Sequence, residues 1–167
     1  MTSKKLVFVA AINLIWLASP SAAQEKADKA GLAKVVAEKF AKEFIQDKNA
    51  VGAAKLTSVP FLEIKQGREK TPKKIEKSAD VEKQLQNVVK KHDEIGIRAK
   101  VTIEKVDEIS GGVKFDEATK EVFNPKTDRV FLIRFTQERG FPFELLTLVG
   151  WREDQLKVIG YGLYFSR

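Results

Sequence analysis

Three consecutive stretches, RVFLIRFTQ (129–137), FELLTLVGWR (143–152) and QLKVIGYGLYF (155–165), decide how the rest of the chain is read. Val, Ile, Phe, Tyr, Trp and Thr fill most of their positions, the residue types that suit a pleated surface, so each reads as a strand. The links are short: 138–142, with Gly140 and Pro142 as breakers, and the Glu153-Asp154 turn. Such links join antiparallel neighbours. Alternation puts Phe131, Ile133 and Phe135 on one face of the first strand and Val130, Leu132, Arg134 and Thr136 on the other. The second strand sets Phe143, Leu145, Thr147, Val149 and Trp151 against Glu144, Leu146, Leu148 and Gly150. The third sets Lys157, Ile159, Tyr161, Leu163 and Phe165 against Leu156, Val158, Gly160, Gly162 and Tyr164. A half-solvated sheet alternates apolar with polar, whereas both faces here are largely apolar and both need cover. Gly150, Gly160 and Gly162 inside strands predict a strongly curved sheet.

Working outward, residues 1–23 read as a secretory leader. Lys4 and Lys5 precede an apolar run over 6–17, and Ser21-Ala22-Ala23 offers the small residues of a cleavage site before Gln24. The run is shorter than the roughly 20 residues needed to span a bilayer, so no membrane anchor is expected after cleavage. With no cysteine in the chain, lipoprotein anchoring, disulfides, thiolate zinc sites and a cysteine nucleophile are all excluded. The expectation is a secreted or periplasmic protein with one domain over 24–167, large enough to bury a core unaided. Without Lys4 and Lys5, 28 basic residues face 23 acidic ones, a formal +5. The charges are mixed along the chain, a balance that favours solubility rather than nucleic-acid binding.

Residues 24–30 read as a frayed polar lead-in, followed by a helix whose stripe is Leu32, Val36, Phe40 and Phe44 and which ends near 47–49. A short helix over 50–56 and a strand over 59–64 come next, with Pro60 confining that strand to an edge or a strand start. Residues 65–77 form a basic connection, read as a solvated loop or as an anion contact through Arg68, Lys70, Lys73 and Lys74. No aromatic residue sits within it to stack a base. A third helix, capped by Ser78 or Asp80, carries the stripe Val81, Leu85, Val88, Val89 and His92 and stops at Ile95-Gly96. A long strand over 97–109 follows, with a bulge near 104–106 where the apolar parity changes. Short strands over 113–115 and 121–123 precede the three main ones.

This order of elements resembles the nuclear transport factor 2-like superfamily, an α+β cone in which a curved antiparallel sheet wraps a long N-terminal helix. The stretches that carry the resemblance are FAKEFIQDKNA (40–50), Val59-Pro60-Phe61 and Leu148-Val149-Gly150-Trp151-Arg152. It implies two further helices and a possible cavity at the wide end, and it hosts unrelated functions, so it names none by itself. Members of the superfamily commonly pair, and the two-sided apolar sheet points the same way, to a homodimer through its outer face.

Several side chains are candidates for a site. Arg134 interrupts an apolar strand; as a buried arginine it would need a partner, which Glu144 can supply, or else it would bind an anionic ligand. Trp151, Tyr161 and Tyr164 could line a pocket, although aromatics in a sheet are more often core or interface. His92, the single histidine, reads as packing or as a helix-end cation, and without defined partners it makes no metal site. Asp107 and Glu108 read as exposed carboxylates. No Ser/His/Asp grouping is evident, and no metal or cofactor is expected. The favoured expectation is a non-catalytic domain that binds a small molecule or a protein. A cofactor-independent lyase or isomerase working in the cone, and a polyanion-binding module, are the alternatives.

Overall fold

A computed structural model of the chain describes residues 22–65, 71–98, 100–110 and 116–165. Helix α1 (Ala22–Ala41) runs into a π-helical turn (Lys42–Gln46) and then α2 (Ala50–Lys55). Strands β1 (Thr57–Ile64) and β2 (Lys73–Ile75) lead to α3 (Ser78–Lys90) and β3 (Val101–Glu108). A short α4 (Glu117–Lys120) precedes β4 (Arg129–Gln137), β5 (Phe143–Arg152) and β6 (Gln155–Phe165). The sheet order is β2-β1-β6-β5-β4-β3. Every pair is antiparallel except β1 with β6, so the curved, unclosed sheet is mixed rather than wholly antiparallel.

The three C-terminal strands have the predicted bounds. Their links also fit: Glu153 and Asp154 both adopt positive φ, the two-residue turn that matches strand twist, and Gly140 takes φ +126° in the longer link. A register shift between Ile103 and Lys105 confirms the bulge in β3, although that strand begins at Val101 rather than 97. The parity read for β6 holds only in its second half. Leu148 faces Gly160 and Val149 faces Val158, so β6 carries an extra residue at Ile159. Leu156 and Val158 therefore join Tyr161, Leu163 and Phe165 on the inner face, and Ile159 moves to the outer one.

The helix laid in the sheet differs from expectation at two points. It begins at Ala22, because the Ala/Lys/Glu composition of the lead-in favours helix. Its buried stripe is Ala33, Ala37, Phe40, Ala41 and Phe44, while Leu32 is 55% exposed. Small alanines let the backbone approach the sheet closely, and the two phenylalanines fill what remains. The π-helical turn, closed by Asp47 N–H to Lys42 O at 2.9 Å, shifts the helix face so that Phe44 and Ile45 are both buried. Asn49 then caps α2, accepting from Gly52 N at 3.0 Å.

Pro60 lies within an interior strand, not an edge. It is tolerated because β2 pairs only with Phe61–Glu63 and the β6 ladder breaks between Thr57 and Leu62, so its missing N–H interrupts no ladder. The basic connection holds a strand, β2, where only a loop or an anion contact was foreseen. Neither Ser78 nor Asp80 caps α3: its N-cap is Lys77, with no side-chain cap. Residues 121–123 are a turn rather than a strand, because Asp116 Oδ1 accepts from Thr119 N at 2.8 Å and Thr119 Oγ1 at 2.6 Å and starts α4 instead. The 113–115 strand lies outside the described residues.

Each apolar face of the sheet is covered from within the chain. The inner one packs on α1, α2 and α3, and Phe61, Phe131, Phe135 and Phe143 share one buried cluster with Phe40 and Phe44. On the outer one Leu62, Val130, Leu148 and Ile159 lie beneath Val122 and Phe123.

Candidate functional site

At the open end of the inner face, the end of β1, the C-terminal part of α3 and the last residues of β6 surround a groove of about 330 Å³. Val88, Ile95, Leu163 and Phe165 form its apolar walls, and Glu63, Lys65 and Tyr161 supply its polar groups. Val88 belongs to the α3 stripe, whose lower members Val81 and Leu85 are sealed in the core. Val88, further along the same stripe, is half-buried and lines the groove.

Tyr161 closes the groove from below. Its ring meets Phe44 edge-on at 5.3 Å and Phe61 at 5.9 Å, which fixes its position. The hydroxyl is buried, and no described residue meets it at hydrogen-bond geometry. Burial first, and the Glu63 charge second, push its pKa well above the ordinary value; Gln84 opposes the shift but stands outside bonding geometry. The phenol is therefore a neutral hydroxyl at physiological pH, suited to hydrogen bonding and not to proton abstraction. Glu63 is occupied by Gln84 Nε2, which donates to it at 2.8 Å. Thr147, directly across the ladder from Tyr161, also buries an unpartnered hydroxyl.

His92 does not reach this groove. It is 1% exposed, stands 6.1 Å from the Phe44 ring and has no partner on either nitrogen. Desolvation, followed by the Lys48 charge and opposed by Asp93, lowers its pKa to about 4. Neutral at pH 7, it packs; it is not a helix-end cation.

The five predicted ligand residues fall in three separate places. Arg134 and Glu144 face each other across β4 and β5, with Arg134 Nε and Nη2 donating to Glu144 Oε1 at 3.2 and 3.0 Å. The partner is as predicted, but the pair is solvent-exposed on the outer face, the Arg134 side chain at 49%. Tyr164 is half-buried on the same outer face over Gly162, and burial raises its pKa. Trp151 lies at the other end of the inner face, in a small cleft of about 160 Å³ with Ala33, Lys126, Arg129 and Leu156. Only Tyr161 is in the groove. Lys73 and Lys74 flank a hollow between β2 and α3, where Lys74 is engaged by Glu76 at 3.0 Å and Glu121 at 3.8 Å. Arg68 and Lys70 lie outside the described residues. Asp107 and Glu108 are tied to Lys105 and Arg129. Among the described residues no group of His, Asp and Glu could hold a metal, and no helix is long and apolar enough to cross a membrane. Glu63, Gln84 and Ile95 carry no sequence signal as site residues; Glu63 and Ile95 come together at the groove, and Gln84 reaches Glu63, only once α3 packs beside β1.

No protein-family model matches the chain, and no curated relative does. Among solved structures, it is similar to an NTF2-like protein of unknown function from Pseudomonas putida, at 8% identity and a TM-score of 0.51, over 83% of this chain and 87% of that one. It is also similar to DUF4783 family proteins from Bacteroides ovatus and Bacteroides uniformis, each at 8% identity and a TM-score of 0.50. The first match covers 77% of this chain and 94% of that one, the second 78% and 96%. At such identities the likeness concerns the fold alone.

Proposed function

The chain has the nuclear transport factor 2-like fold, and we propose that it is a non-catalytic binding domain whose ligand lies in the groove over Tyr161. The observation that carries this reading is a buried hydroxyl without a partner among the described residues, at the base of a groove walled by Val88, Ile95, Leu163 and Phe165. An unsatisfied buried polar group costs about 1–3 kcal/mol, which a ligand oxygen placed there would recover. Catalysis fits less well. The one histidine is sealed in the core, Glu63 is held by an amide, and the tyrosine is a weaker acid than usual. We also propose export, on the strength of the leader pattern over residues 1–23.

Titration with 1-naphthol, a small neutral aromatic alcohol followed by its own fluorescence, tests the groove. Saturable binding is expected, about fivefold weaker in Tyr161→Phe through loss of one hydrogen bond and lost in Leu163→Lys, with circular dichroism showing both variants folded. Unsaturable binding to the wild type, or equal binding by all three proteins, overturns the reading.

A further inference from the structure

Resting on that reading, we propose that the ligand is a single-chain amphiphile with a hydroxyl at one end, which meets Tyr161, and an anion at the other, which meets Arg98, its chain lying over Leu163 and Phe165. The Tyr161 groove is bounded by Ile95 and Phe165, and the same two residues wall a second hollow of about 290 Å³. Its remaining lining is Gly96, Arg98, Gly140 and Phe141. The two hollows are thus consecutive along the open end of the sheet, with an apolar saddle between them.

The far rim is built, not incidental. Gln137 on β4 donates through Nε2 to Gly96 O at 2.9 Å and to Phe141 O at 2.7 Å, and its Oε1 accepts from Arg98 N at 2.8 Å. One carboxamide therefore ties the β4–β5 loop to the connection after α3 and fixes the backbone of both Arg98 and Phe141. On that fixed backbone the Phe141 ring stands 78% exposed at the hollow. Among the described residues Arg98 is the only charged one lining this hollow, and its guanidinium makes no ion pair with any of them.

Charge sets the orientation. At the inner end Glu63 would repel an anion, although Lys65 stands nearby, whereas at the outer end no carboxylate of a described residue opposes Arg98 in the lining. Shape sets the class. Phe40, Phe44 and Phe61 close the space behind Tyr161, leaving a shallow track in place of a deep chamber, which suits an extended chain better than a bulky ring system.

The test compares dodecanoate with dodecanol by calorimetry, below micellar concentrations, in wild type, Arg98→Gln and Phe141→Ser. Dodecanoate should bind about tenfold tighter than dodecanol to the wild type, the worth of one charge-assisted contact. Arg98→Gln should erase that difference without weakening dodecanol, and Phe141→Ser should weaken both several-fold. Equal affinities unaffected by Arg98→Gln overturn the anionic assignment. Failure of both amphiphiles while naphthol still saturates overturns the amphiphile and leaves the groove standing. Failure of all three ligands removes both readings.

Discussion

Asp128 and Arg152, on opposite sides of the β4–β5 ladder's end, lock the cover onto the sheet's outer face. The buried Asp128 carboxylate accepts from Arg152 Nη2 at 3.0 Å, and that nitrogen also donates to Val122 O at 2.6 Å. Asn124 N and Thr127 Oγ1 donate to the same carboxylate at 2.9 and 3.1 Å. Replacing Asp128 by Ala strands Arg152 and releases several donors together. A loss of about 3 kcal/mol is expected in urea unfolding. Binding of a hydrophobic dye should rise as Val122 and Phe123 lift. Gly150→Ala should act on the same lock, because its Cβ would stand 2.6 Å from Asp128 Oδ1. Unchanged stability in both variants would show that the cover is held elsewhere.

His92 makes stability depend on pH in a definite direction. Its pKa falls from 6.5 to about 4 on folding, so the unfolded chain binds the extra proton first. Its contribution is complete above pH 6.5 and fades as pH drops towards 4, by up to about 3 kcal/mol. His92→Leu should flatten this slope between pH 7.5 and 4.5. At pH 7.5 the variant should be no less stable, since it removes two unpartnered nitrogens. An identical slope in the variant would assign the pH dependence to other groups.

The chain has two tyrosines, and burial raises the pKa of each. Alkaline titration followed by phenolate absorbance should therefore show little ionisation near pH 10 in the folded protein. The signal should appear together with the loss of circular dichroism. For an acid whose folded pKa is raised, stability is lost as pH climbs past the unfolded value, so unfolding and ionisation coincide. Free titration of one tyrosine near 10 would identify an open phenol and count against the burial of the Tyr161 hydroxyl.

Self-association through the outer face remains a proposal with a narrower seat. Val122 and Phe123 already cover much of that face, leaving Leu132 and Tyr164 half-buried around the exposed Arg134–Glu144 pair. A twofold contact there would bring Arg134 of one copy near Glu144 of the other. Sedimentation equilibrium at micromolar concentration should detect a dimer that Leu132→Glu dissociates. A monomer mass for the wild type removes it.

Export is checked by the N-terminus of material recovered outside the cytoplasm. It should begin at or near Gln24; recovery of chains still starting at Met1 rejects the leader.

The strand bounds were legible because β-branched and aromatic residues crowd 129–165 between clear breakers. The β3 bulge was legible because charged Glu104 and Lys105 interrupt its alternation. The β6 bulge was invisible for the opposite reason: with apolar residues of both parities, nothing marks which face each belongs to. The α1 stripe is legible at Phe40 and Phe44, which are buried, but not at its start, where bulky Leu32 is exposed and small Ala33 makes the buried contact. Arg134 was expected to be buried because its neighbours are apolar, yet exposure on the outer face makes its pairing with Glu144 a surface matter. The groove could not be found in one dimension at all. Glu63, Val88, Ile95 and Leu163 become neighbours only once β1 lies beside β6.

That parallel pair has a consequence for how the polypeptide is made. Strand β1 ends at Ile64, but the neighbour that ties it into the main sheet, β6, starts only at Gln155. A ribosome delivers the chain from its N-terminus, so α1, α2, β1, β2 and α3 all emerge before the main sheet they pack on exists. Non-local pairing of this kind delays folding until the distant partner arrives. Until residue 155 is made, β1 lacks the strand that ties it into the main sheet, a delay compatible with the proposed export.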